Sequence, residues 1–80
     1  MNLKILTPKT SKMERSVSKV FLPGTASSFE ILKGHAPLIS SLTGGSVRWE
    51  NESDGSLESF EISSGFVEVK ENVITVTAEQ

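Results

Sequence analysis

Phe66-Val67-Glu68-Val69-Lys70-Glu71-Asn72-Val73-Ile74-Thr75-Val76 decides the fold. Apolar residues recur at every second position on both sides of Glu71-Asn72, and β-branched residues dominate the second half. A period of two places alternate side chains on opposite faces of a strand, so the stretch reads as two strands joined at Glu71-Asn72, a β-hairpin. The same grammar extends in both directions. Upstream, Val47 and Trp49 alternate with Arg48, and Asp54-Gly55 is a hairpin signal between that strand and Leu57 to Ile62. Leu3 and Ile5 alternate with Asn2 and Lys4 up to Pro8, which predicts a first strand over residues 2–7.

The apolar series Met13, Val17, Val20, Leu22 changes from odd to even numbers, so a regular strand would turn one side chain outward; a β-bulge near Ser18 restores the inward phase. Pro23-Gly24 supplies a fixed φ followed by a residue free to take positive φ, a turn. Phe29 and Ile31 flank Glu30 in a short strand that Gly34 and Pro37 keep from extending. Leu38, Ile39 and Leu42, separated by Ser40 and Ser41, read as an apolar loop lying against something. The expectation is an all-β chain, a small antiparallel β-sandwich or flattened barrel of seven to eight short strands, with residues 1–80 forming a single domain.

Composition excludes several functions. Without cysteine there are no disulfides or thiolate sites, and one histidine cannot supply a structural zinc centre. Eight basic against ten acidic residues, a net charge of −2 with no run of either sign, leaves nothing to track a nucleic-acid backbone. Apolar runs such as Val20-Phe21-Leu22 are far shorter than the ~20 residues of a membrane span. No nucleophile elbow surrounds any serine that could act with His35, and no phosphate-binding glycine motif is present. The expected catalytic, cofactor-binding and metal-binding residues are therefore none. Ser27-Ser28-Phe29-Glu30 has the spacing of a helix capping box, but the Phe29/Ile31 alternation contradicts a helix. Trp49, alone on an alternating strand, reads as core rather than as a stacking platform.

Leu22-Pro23-Gly24, followed by Phe29-Glu30-Ile31-Leu32-Lys33-Gly34-His35-Ala36-Pro37-Leu38, resembles a pattern of the epsilon subunits of rotary F-type ATP synthases: a proline-glycine turn, then F-G-I-L-P-G-H-A-P-L. Ile62-Ser63-Ser64-Gly65-Phe66-Val67-Glu68-Val69 is similar to the family's S-G-G-F-V-E-V, and Asn72-Val73-Ile74-Thr75-Val76 to its N-x-V-T-V. Glu30 and Lys33 stand where the family often has glycine and proline, and Ser64 replaces the first glycine of the G-G pair.

The resemblance implies the N-terminal β-sandwich of a non-catalytic central-stalk subunit that docks on the gamma subunit and the c-ring, coupling proton or sodium flow to ATP synthesis. It implies a peripheral position at the cytoplasmic face of a bacterial inner membrane. Motif by motif, the gamma-facing surface falls on Thr7, His35, Leu38 and Leu42, and the c-ring-facing tip on Thr25, Ala26, Ser27, Ser28 and Phe29. Ser28 stands where relatives often carry a glutamate, which removes the carboxylate that a salt bridge from this position to the ring would need. Family members commonly continue into a two-helix C-terminal domain, which in some binds ATP; these 80 residues do not contain it, so no ATP binding is expected of them. The alternative is a free-standing β-sandwich that binds a ligand in a groove lined by Trp49 and the Leu38–Leu42 stretch.

Overall fold

A computed structural model describes residues 1–9 and 12–80, and among these residues there are eight strands and no helix. They are β1 (Asn2–Leu6), β2 (Met13–Leu22), β3 (Phe29–Leu32), β4 (Leu38–Leu42), β5 (Gly45–Asn51), β6 (Leu57–Ile62), β7 (Ser64–Lys70) and β8 (Val73–Glu79). They hydrogen-bond in the order β4-β7-β8-β1-β2-β5-β6, and β3 joins the sheet on β2.

The ten-residue β2 is where the sheet folds on itself. Its first half pairs with β1, and its second half pairs with β3 and β5. The register against β5 slips between Val17 and Lys19, so Ser18 is the extra residue, as the odd-to-even switch predicts. A bulge bends and further twists its strand. Here it carries the chain from one layer to the other while Val17, Val20 and Leu22 all stay inward and buried. The Ser18 hydroxyl donates to the Glu50 carboxylate at 2.6 Å, fastening the bulge to β5.

Both hairpins form where the turn residues place them. Glu71 and Asn72 take φ of 51° and 63°, the two positive values of a type I′ turn, whose twist suits paired strands. The β5–β6 loop is longer, four residues from Glu52 to Gly55, closed by the Asn51 N–H on Ser56 O at 2.8 Å. Gly55 adopts φ of 73°, and the Asp54 carboxylate accepts from the Ser56 amide and hydroxyl at 3.0 and 2.7 Å. These bonds to the charged form hold the Asp54 pKa below its ordinary value.

The Leu38–Leu42 stretch is not the apolar loop its serines suggest. It is an edge strand, antiparallel to β7 from Leu38↔Val69 to Leu42↔Gly65. Leu38, Ser40 and Leu42 share the inward phase, and only Leu42 is fully buried. The stretch pairs because β7 offers it an open edge from a distant part of the chain, which local propensity does not encode. The β1–β8 ladder is parallel, Asn2↔Val73 to Leu6↔Thr77, whereas the other ladders among the described residues are antiparallel. A parallel pair cannot be closed by a tight turn, so the rest of the chain serves as its connection.

The two layers enclose Leu3, Ile5, Val20, Trp49, Val67 and Ile74 among fifteen buried apolar residues. Trp49 is 2% exposed, in accord with its reading as core. Its indole N–H donates to Glu58 Oε1 at 3.3 Å, and the Asn51 side-chain amide donates to the same oxygen at 2.9 Å. Glu58 sits opposite Trp49 on edge strand β6, so an inward-phase carboxylate caps the open seam, a device that discourages edge-to-edge pairing. Arg15 reaches it from β2 at 3.5 Å.

The Asn51 hydrogen bond, followed by those from Trp49 and the charge of Arg15, holds the Glu58 pKa below its ordinary 4.5 despite opposing desolvation. A depressed carboxylate contributes stability that is present above the unfolded-state pKa and is lost as pH falls through the lower folded value. Acidification below pH 4.5 is therefore expected to loosen the seam and shift the Trp49 emission. The acid shift should shrink in Glu58→Gln; fluorescence titration of both chains measures it, and identical acid limbs would refute the assignment.

Candidate docking surface

The outer face of the β4-β7-β8-β1 layer carries the exposed apolar side chains expected of an interface. One register row runs Ser41, Phe66, Thr77, Leu6 across the four strands. The inner row next to it runs Leu42, Gly65, Ala78, with Thr7 continuing the inward phase of β1. Together these residues line a groove of about 590 Å³. Phe66 is 63% exposed and Ile39, two residues before Ser41, is 76% exposed. Large apolar side chains held this far into solvent next to a groove are the usual mark of a protein-binding surface.

Gly65 makes the groove possible. A Cβ there would lie 2.6 Å from the Thr77 carbonyl oxygen and 3.1 Å from Ala78, so only glycine lets β7 and β8 approach at this point.

Of the four residues assigned to the gamma-facing surface, Leu38 and Leu42 lie on β4, His35 in the loop before it, and Thr7 just after β1, three strands away across the sheet. Thr7 and Leu42 are buried and face the groove just described. Leu38 is half-buried against the core and borders a second depression with Pro37, Ile39 and Val69. His35 is exposed in the loop before β4, its Nδ1 2.7 Å from the Ala36 carbonyl oxygen. From its alternation alone Phe66 reads as one more strand residue. The signal was the adjacency of Phe66 and Val67: consecutive apolar positions in a period-two segment put an apolar side chain on each face.

The segment assigned to the tip follows β2. The Thr25 N–H donates to Ser41 O at 3.1 Å and the Thr43 N–H to Pro23 O at 2.8 Å, with Gly24 bridged to Leu42. These bonds tie the base of the tip to the end of β4 and close that end of the molecule. Thr25, Ala26, Ser27 and Ser28 are exposed, and the half-buried Phe29 ring folds back beneath them. A Cβ on Gly24 would meet Ser27 O at 2.4 Å and this ring at 2.7 Å, so the tight return demands glycine. No charged residue lies between Gly24 and Phe29.

A ligand groove lined by Trp49 requires that residue to be exposed, and its burial removes it from any such groove. Among the described residues no group of three or more histidine or acidic side chains is placed to hold a metal ion.

The chain matches the family "ATP synthase, Delta/Epsilon chain, beta-sandwich domain" over residues 1–80. It is 44% identical to the ATP synthase epsilon chain of Chlorobium limicola, covering 88% of this chain and 78% of the relative. It is 38% identical to that of Chlorobaculum tepidum, covering 98% and 88%. Against the epsilon chain of Desulfitobacterium hafniense the identity is 36%, and the chain spans only 57% of the relative's length. Among solved structures it superposes with a TM-score of 0.83 and 20% identity on a chain of the Euglena gracilis mitochondrial ATP synthase OSCP/F1/c-ring assembly, covering 98% of this chain and 49% of that one. A chain of the Tetrahymena thermophila mitochondrial ATP synthase central stalk and c-ring gives a TM-score of 0.80 at 16% identity, covering 100% and 63%. At those identities the likeness is one of fold; the family match and the epsilon-chain relatives carry the assignment. On the family match over residues 1–80 and the epsilon-chain relatives, the chain belongs to the ATP synthase delta/epsilon-chain β-sandwich family.

Proposed function

We propose that the chain is a non-catalytic subunit of the rotating central stalk of an ATP synthase, docked on the gamma subunit through the β4/β7 face. The observation that carries this reading is the Phe66–Leu42–Thr7 groove with its exposed Phe66, and the exposed Ile39 of the second depression farther along β4, in a chain of this family. Thr7, His35, Leu38 and Leu42 contribute to that face. Thr25 to Phe29 form the tip that meets the polar loops of the c-ring, placing the chain at the cytoplasmic face of the membrane through the ring. With no charge on the tip, this contact rests on hydroxyls and backbone groups rather than on a salt bridge. The role is mechanical, transmitting torque between ion flow and ATP synthesis, and these 80 residues bind no ATP.

Titration of the full chain against the gamma subunit from the same source, followed by size-exclusion chromatography, tests the reading. Phe66→Asp is the informative control, because Phe66 faces solvent and the change leaves the core intact. Leu38→Asp is less clean, since Leu38 packs partly against the core. Truncating or charging a central apolar anchor costs about 2 kcal/mol or more, so Phe66→Asp should weaken the complex at least about thirtyfold. Equal binding by the two chains would move the interface elsewhere, and a failure of the unmodified chain to bind would refute the stalk reading.

A further inference from the structure

One end of the molecule gathers three chain segments on a single residue. Asn72 occupies the second position of the β7–β8 turn at φ of 63°. Its backbone carbonyl accepts the Asn2 N–H at 2.9 Å, and its side-chain Oδ1 accepts the Gly34 N–H at 2.9 Å. The facing group is an N–H, which fixes the amide orientation with the oxygen toward Gly34. Gly34 has φ of 81° and lies in a turn closed by the His35 N–H on Leu32 O at 3.0 Å, the arrangement of a type II turn. In such a turn the third residue's own N–H is not satisfied by the turn bond, and Asn72 supplies its acceptor.

From this turn the chain runs directly to the docking face. His35 Nδ1 is 2.7 Å from the Ala36 carbonyl oxygen, which only accepts, so Nδ1 carries the proton. In the neutral ring Nε2 is then left as an acceptor, on an exposed side chain. Pro37 restricts the backbone at the far end of the loop, and Leu38 begins β4.

We infer that Asn72 is a positioning residue for partner binding: it clamps the Gly34–Pro37 loop so that His35 presents Nε2 to an N–H or O–H donor of the stalk partner. The inference rests on the stalk reading and adds a chemical requirement to it, a hydrogen-bond donor on the partner beside the apolar contacts of Leu38 and Ile39. A turn asparagine with positive φ could be replaced by glycine without loss to the hairpin, so the side chain's separate task is the bond to Gly34.

Asn72→Gly keeps the turn and deletes only that bond. Hydrogen exchange of the Gly34 amide and titration with the gamma subunit are measured in the full chain, in the native and His35→Ala backgrounds. The expected result is faster Gly34 exchange, an unchanged urea midpoint, and affinity about threefold to tenfold weaker, the size of one hydrogen bond. In the His35→Ala background the same change should have no further effect, because the two act as a unit. Undiminished affinity despite faster Gly34 exchange, or an equal loss in both backgrounds, overturns the positioning role alone. Unchanged Gly34 exchange overturns the clamp itself, and no binding by the unmodified chain overturns the stalk reading and this role with it.

Discussion

Trp49→Ala is expected to leave much of the population unfolded in dilute buffer at 25 °C. The indole is 2% exposed and sits where β5 meets β2 and β6, so its removal takes away the largest side chain in the core and leaves a void between the layers. Truncating a buried aromatic costs about 3–5 kcal/mol. An 80-residue domain has a total stability of about 4–12 kcal/mol, so the loss is comparable with the whole. The change also removes a donor from Glu58, although that carboxylate keeps Asn51 and Arg15. Urea unfolding followed by far-UV circular dichroism checks the prediction. A loss below about 1 kcal/mol would show that the layers collapse around the gap.

Gly65→Ala is the second large effect, and its sign is the test. The φ of Gly65 is not positive, so backbone conformation alone permits alanine, and replacing glycine within a strand ordinarily stabilises by about 0.5–1 kcal/mol. The contacts predict the opposite. A methyl group 2.6 Å from the Thr77 carbonyl oxygen meets backbone of a paired strand, not the yielding end of a side chain. Relief requires β7 and β8 to separate at the Gly65↔Ala78 pair, and overpacking of this kind costs about 1–3 kcal/mol. The same separation displaces Phe66 from the row it shares with Ser41, Thr77 and Leu6, so affinity for the gamma subunit should fall together with stability. A stabilised Gly65→Ala chain with full affinity would refute the account of the groove.

These two positions differ in how much of their role the local sequence carries. Trp49 announces itself as core, because it lies in phase with Val47 on an alternating strand and an inward indole is the economical use of a lone tryptophan. Gly65 looks like any glycine in a Gly-Phe-Val sequence until Thr77 and Ala78 are brought against it. The same division runs through the docking face. Leu38 and Leu42 are conspicuous as apolar residues among serines, whereas Phe66 is hidden inside a convincing strand and gains its meaning only from neighbours on β4 and β8.

Local physics written in the chain itself determined the strands with clean alternation, the bulge at Ser18, the two hairpins and the buried Trp49. In each case the deciding interaction lies within a few residues: a phase or a positive φ. The motif string from Leu22 to Leu38 likewise carries the family resemblance without any tertiary contact. Tertiary structure alone decided the rest. The strand character of Leu38–Leu42, the parallel β1–β8 ladder, the steric need for Gly65 and the bond from Asn72 to Gly34 all join residues far apart in sequence. Such contacts follow from which edges and carbonyls the folded sheet leaves open, and no periodicity within a single segment carries that information.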